Sequence, residues 1–307
     1  MEPEAGSATS LLSLCFFVVI PGPVPGSCYR MKSLKIAVLD MYNNFPNQGM
    51  RCILKILHQL QAEVSVPVTY DVFNVRAEVA VPGLDYDIYI SSGGPGSPLP
   101  SDEPWETPYF ALIDQLLAWN RTHEQKKHVL LICHSFQLVS RHLQVGELSA
   151  RKSTSFGIFP MHMTEAGQQD LLLGLLPDPF MAVDSRDFQV TNPDEAHLQR
   201  LGVQVLALEK ERPHVPFDRA IMALRFTPEM VGTQFHPEAD SEGMLHYMLT
   251  TERRQQVIDT HGQQKYDDMV RLLQDPDAIE LTERILVPAF LRQSVAALTA
   301  VDQPVTL

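Results

Sequence analysis

The chain predicts an α/β protein built on a doubly wound, mostly parallel sheet, with a helical tail at its C-terminus. Three observations carry that expectation. Residues 35–39, 86–90 and 128–133 are short, continuous apolar runs, as expected of strands buried on both faces. Each run is followed by a loop rich in Asn, Gly, Pro or Ser, or by an abrupt turn. A segment with helical spacing of apolar residues comes in the same order near each of them, and recurring strand–loop–helix units imply a parallel sheet with helices on both faces.

Taken in order, the first strand over 35–39 leads into a polar loop over 41–49 that holds Asn43, Asn44, Asn47 and Gln48. A helix is expected over 50–61, where Ile53, Leu54, Leu57 and Leu60 form one stripe. Residues 64–73 look extended, and 86–90 is the next strand, ending in Ser91-Ser-Gly-Gly-Pro-Gly-Ser97. A helix over 108–120 shows Phe110, Ile113, Leu116 and Leu117 on its apolar face. The strand 128–133 runs into helical spacing over 135–143.

The second half reads as shorter pieces. Strands are expected over 156–159, 181–183, 203–208, 220–226 and 230–235, with turns at 176–179 and 212–217. One helical stretch is expected from 242 to about 274, and a last amphipathic one over 279–298 that Pro288 ends or kinks. The domain organisation that follows is a disordered extension over 1–30, a folded domain over 31–250 and a helical extension over 251–307, suited to docking or oligomer contact. Within the first segment, residues 11–20 are apolar, but Glu2 and Glu4 precede them with no Lys or Arg, which is the wrong flank for an export signal.

Composition narrows the function. Of 307 residues, 45% are hydrophobic and 20% charged, ordinary for a globular protein. A formal net charge of −13, with no basic patch, excludes a nucleic-acid surface and suits a small neutral or zwitterionic substrate. The four cysteines (Cys15, Cys28, Cys52 and Cys133) have neither CxxC nor zinc spacing. A reducing, cytoplasmic setting is expected, with no metal, cofactor or membrane association.

Chemistry concentrates in two motifs. Cys133 ends an apolar strand in Leu130-Leu-Ile-Cys-His-Ser-Phe-Gln137, and Gln234-Phe-His-Pro-Glu238 lies far downstream. A buried cysteine by itself is a small hydrophobe. Here it stands where a strand gives way to a helix, so a strained turn can hold its sulfur outward, and the helix N-terminus favours the thiolate. His236 supplies a base, and Glu238, two residues on, a carboxylate to orient it.

The run Cys133-His-Ser-Phe-Gln137 resembles the Gly-x-Cys-x-Gly-x-Gln nucleophile motif of class I (triad-type) glutamine amidotransferases, with Leu131 and Ser135 in place of two glycines. Gln234-Phe-His-Pro-Glu238 is similar to that family's second motif letter for letter, and Ser91-Ser-Gly-Gly-Pro95 resembles its oxyanion loop. The flavour is that of the amidotransferase part of GMP synthase. The resemblance spans residues 34–250 and implies a flavodoxin-like sheet and a Cys133–His236–Glu238 triad. It implies an oxyanion hole from the backbone N–H groups of Gly94 and His134, with Gly93 and Gln137 beside the substrate. Asp184-Ser-Arg-Asp-Phe-Gln-Val190 stands where the family has its substrate loop, so that the backbone of Ser185 and Arg186 would meet the amino-acid end of glutamine, although Arg186 replaces a histidine.

The function so implied is hydrolysis of the side-chain amide of L-glutamine through a cysteinyl thioester, with ammonia passed to a separate synthetase subunit. Two other readings stand beside it. One is a γ-glutamyl peptidase or transferase using the same triad; the other is a non-catalytic regulatory protein on this fold, motivated by Leu131, Ser135 and Arg186.

Overall fold

Runs of Ile, Leu and Val that cannot meet water on either face form the middle of one sheet. The computed structural model describes residues 33–212, 218–275 and 279–300. The extension expected over 1–30 and most of the turn at 212–217 lie outside these residues. In chain order the strands are β1 (Leu34–Asp40), β2 (Val68–Asn74), β3 (Ile88–Ser91), β4 (His128–Ile132), β5 (Glu147–Met163), β6 (Phe180–Thr191), β7 (Gln204–Glu209), β8 (Ile221–Thr227) and β9 (Met230–Thr233). They form a single mixed sheet in the order β2-β1-β3-β4-β9-β8-β7-β5-β6. The half from β2 to β9 is parallel. The half from β9 to β6 is antiparallel.

The helices are α1 (Gly49–Glu63), α2 (Val75–Glu78), α3 (Glu106–Thr122), α4 (His134–His142), α5 (Glu165–Gln169), α6 (Glu195–Leu201), α7 (Ser241–Met248), α8 (Thr251–His261), α9 (Gln263–Gln274) and α10 (Glu280–Ala300). Because side chains alternate across a strand, β1 serves two cores. Leu34, Ile36 and Val38 pack with residues of α1 and α10, whereas Ala37 and Leu39 pack with residues of α3 and α4. A third cluster joins Phe156, Ile158 and Val183 to Met248, Val257, Tyr266 and Met269, seating α7 to α9 on β5 and β6. Among the described residues no helix is long and apolar enough to cross a membrane.

Two expectations about the helices are corrected. The single helical stretch from 242 to 274 is three helices, because Thr250 is extended (ψ 142°) and Gly262 takes φ 87°, a left-handed value that favours glycine. Pro288 does not end the last helix. Leu286, Val287, Ala289, Phe290 and Leu291 around it are buried in the first core, and this packing carries the helix through the lost hydrogen bond. Helix α10 is tied to the rest of the fold: Thr282 donates to the Met181 carbonyl, and Arg292 pairs with Glu63 of α1.

The substrate loop expected over 184–190 is part of β6, paired along most of its length with β5. Both strands are far longer than the apolar fragments at 156–159 and 181–183 suggest. Beside apolar pairs such as Leu148 with Val190, much of the extra length is held by polar contacts: Ser155 donates to Asp184 (2.6 Å), Thr154 to Asp187 (2.5 Å) and Arg151 to Gln189 (2.8 Å). Such contacts leave no continuous apolar run in the sequence.

Candidate active site

The parallel strands point their carboxyl ends at one edge of the sheet, where ligands bind in such folds. At that edge Cys133 links β4 to α4 with φ 47° and ψ −98°. A non-glycine residue there costs of order 1–3 kcal/mol, and the surroundings hold it in place. The Cys133 N–H donates to the Thr233 carbonyl (2.7 Å), and the Cys133 carbonyl accepts from Gln137 N–H (3.0 Å). The sulfur faces the Ser185 carbonyl at 3.7 Å and accepts from Gln234 Nε2 at 3.6 Å.

Both departures from the motif are accommodated. Ser135 is fully buried and uses its hydroxyl as a pin, with Ser91 Oγ at 2.7 Å and the Ser92 carbonyl at 2.7 Å. Leu131, also fully buried, faces Gly232 in the β4–β9 register. A Cβ at Gly232 would lie 2.9 Å from Phe226 Cε2, 3.0 Å from Phe136 Cδ2 and 3.4 Å from Leu131 Cβ. Leu131 and Gly232 thus share the space between the two strands, with the side chain on β4 and the gap on β9. Gly232→Ala is accordingly expected to destabilise the protein by about 1–3 kcal/mol, as overpacking does, read as a lower denaturant midpoint.

His236 follows β9, held by its N–H on the Val183 carbonyl at 2.8 Å. Its Nδ1 is 2.8 Å from Glu238 Oε1, and its ring and the Cys133 side chain both lie against Gly93. Burial alone would lower the imidazole's pKa. The Glu238 carboxylate and the Cys133 sulfur overcome it and hold the pKa well above 6.5. Glu238 is 1% exposed, and its Oε2 has no hydrogen-bond partner. The side chains of Cys133, His236 and Glu238 thus border one cavity.

Gly93 lies directly under this group, since a Cβ there would fall 2.8 Å from His236 Cε1 and 3.5 Å from Cys133 Cβ. Gly94 lies against the end of β1, where a Cβ would meet the Met41 carbonyl oxygen at 2.3 Å. His134 opens α4 beside the sulfur. Its buried imidazole, with Nε2 unpartnered, is pushed down to about 3 by burial and then by the Arg76 and Arg141 charges, so it is neutral.

Gln137 is turned toward the protein. Its Nε2 donates to the Phe188 carbonyl (3.1 Å) and to Gln234 Oε1 (2.9 Å), so it meets the sulfur through Gln234. Ser185 presents backbone to the sulfur, whereas the Arg186 side chain is buried on Asp184 and near Glu209. That burial explains why arginine can stand in the place of the family's histidine: its charge is balanced inside the sheet.

Three residues in the site were not singled out by the sequence. Gln234 was visible within its motif but unassigned. Tyr42 follows β1 and lines the cavity. Burial, then the negative groups at Glu238 and Cys133, keep its phenol protonated. Arg76 on α2 donates to the carbonyls of Met41 (3.2 Å) and Pro95 (2.5 Å), tying the Gly94 loop to the end of β1. Nothing local in the sequence marks Tyr42 or Arg76, because their partners are brought by the fold. Among the described residues no group of three or more His, Cys, Asp or Glu side chains is arranged to hold a metal ion.

A cavity of about 670 Å³ opens above the sulfur, bounded by the loop over 45–49, by Gly94–Gly96, by β6 and by α7 and α8. A thiol, an imidazole charged by a buried carboxylate and bare glycine backbone in one cavity are the parts of nucleophilic acyl transfer.

The family model described as glutamine amidotransferase class-I matches residues 38–254, more than half of the chain, and the protein belongs to that family. The fold is similar to that of a glutamine amidotransferase from Thermotoga maritima, at TM-score 0.63 and 13% identity over 85% of this chain and 98% of that one. It is also similar to a glutamine amido transferase from Methylobacillus flagellatus (TM-score 0.56, 15% identity, 86% and 95% covered). The glutaminase domain of Trypanosoma brucei CTPS with bound acivicin matches at TM-score 0.50 and 14% identity, over 88% and 96% of the two chains. No curated protein matches the sequence.

Proposed function

We propose that the protein hydrolyses the side-chain amide of L-glutamine and releases ammonia for a separate synthetase subunit. The observation that carries this reading is the strained Cys133, set against an imidazole held by Glu238 at 2.8 Å. The Cys133 thiolate attacks the amide carbon, and the carbonyl electrons move to an oxyanion received by the N–H groups of Gly94 and His134. The carbon–nitrogen bond then breaks as protonated His236 gives its proton to the departing ammonia. Water, deprotonated by His236, attacks the thioester, and glutamate leaves with the sulfur returning to thiolate. Gly93 gives the substrate bare backbone to lie on, and Gln137 braces Gln234 against the sulfur. The backbone of Ser185 and Arg186 borders the amino-acid end of the substrate. Cytoplasmic residence suits a chain whose described cysteines, Cys52 and Cys133, are free thiols.

A glutamine-mimicking diazo-ketone tests the nucleophile and the pocket together. Intact-mass measurement should show a single adduct at Cys133, and saturating L-glutamine should suppress it. Labelling elsewhere, or no labelling, overturns the proposal and favours a non-catalytic role for this fold.

A further inference from the structure

The cavity over Cys133 extends past the catalytic group to a wall made by this chain's own C-terminal helices. Arg253, Gln256, Val257, Thr260 and His261 of α8 line it, and all but the first lie beyond the match to the family model. Arg253 is the feature that requires explanation. Its guanidinium lies 4.7 Å from the ring centre of Phe156 and 5.2 Å from that of Tyr247, the stacking geometry that favours arginine over aromatic faces. Nη1 donates to Gln256 Oε1 at 2.7 Å. Nε is buried with no hydrogen-bond partner, and among the described residues no carboxylate is in ion-pair contact with the side chain. His261 stacks on the same Phe156, at 5.5 Å between centroids and 17° between planes. A cation with its side chain held between rings, its charge uncompensated, and facing a ligand cavity is arranged for an anion that the protein itself does not supply. A planar guanidinium matches the paired oxygens of a carboxylate or a phosphate, and an acyl donor for Cys133 offers the carboxylate.

We propose that Arg253 is a carboxylate clamp for the acyl donor, so that α8 sets the specificity of the site. This rests on the acyl-transfer reading of Cys133. The carboxylate has two possible sources: the α-carboxylate of the γ-glutamyl group itself, or a carboxylate on the leaving amine, as in a γ-glutamyl amino acid. The size of the cavity favours the second. At about 670 Å³ it falls among the pockets of roughly 300–1,000 Å³ that enclose drug-sized ligands, far more than one amino acid fills. The clamp then admits a γ-glutamyl amino acid as a second acyl donor beside L-glutamine, its amine leaving in the same thioester-forming step with the proton supplied by His236.

Calorimetric binding to the Cys133→Ala protein separates the clamp from the chemistry. The ligands are γ-glutamylglycine, γ-glutamylmethylamide, L-glutamine and 4-aminobutanamide, and each is compared with and without the added Arg253→Met change, which keeps an apolar stem on the two rings. Loss of one charge-assisted carboxylate contact should weaken binding by about 10- to 100-fold. If the weakening is confined to γ-glutamylglycine, the clamp holds the leaving amine. If it extends to L-glutamine and γ-glutamylmethylamide but spares 4-aminobutanamide, it holds the α-carboxylate. Equal weakening of all four, weakening of none, or no binding of any of them before the Arg253 change overturns the clamp. Failure of the acyl-transfer reading shows elsewhere, as undiminished turnover by Cys133→Ala.

Discussion

Cys133→Ala should abolish glutamate release from L-glutamine while leaving the protein folded. Removing the nucleophile of a working triad costs on the order of 10⁴–10⁶ in kcat, so residual release should sit at the level of contaminating activity. The fold should tolerate the change because alanine keeps the Cβ, and the backbone at φ 47° is held from outside the side chain by the Thr233 carbonyl and the Gln137 N–H. The sulfur's own contacts, at 3.6 Å and 3.7 Å, are weak ones. The thermal midpoint should move by no more than about 2–4 °C, the shift that ~1 kcal/mol produces in a domain of this size. A variant that releases glutamate at the parental rate would leave the assignment without a nucleophile.

Glu238→Gln should be nearly as damaging, and it should leave a signature in pH. The amide keeps the shape of the carboxylate but neither compensates an imidazolium nor fixes the tautomer, for which a loss on the order of 10⁴ is expected. In the parent, Glu238 and Cys133 raise the His236 pKa against the effect of burial. With Glu238 neutral, burial gains weight and the imidazole sheds its proton at lower pH. The alkaline limb of the kcat/KM profile reports loss of the imidazolium, so it should shift toward acid in the variant. Stability carries the same sign. A group whose folded pKa is raised stabilises the protein fully below its unfolded value, near 6.5 for histidine, and that contribution is lost as pH climbs through the folded value. The stability difference between parent and Glu238→Gln should therefore narrow with rising pH above about 6.5. Denaturant midpoints measured across that range, with no narrowing, would rule out the charged pair.

The middle of the sheet, β1, β3 and β4, was legible in the sequence because burial on both faces writes itself as short continuous apolar runs. The proposed catalytic group was legible because its chemistry is carried by neighbours in sequence, Cys133 with its helix and His236 with Glu238. What escaped has a common physical cause. The ladder of β5 with β6 is stabilised by pairs such as Ser155 with Asp184, which look like loop when read singly. Arg76 and Tyr42 act on the site through carbonyls and charges brought from distant parts of the chain. The break at Gly262 was readable from glycine alone, but the continuation through Pro288 was not, since it depends on the core that α10 enters.

The facing of Leu131 and Gly232 has a consequence for how the chain can be altered. The two positions share one space between neighbouring strands, filled from β4 and left open on β9. An engineer who places glycine at 131 alone creates a void, and one who adds a side chain at 232 alone creates a clash. The two volumes have to be changed together.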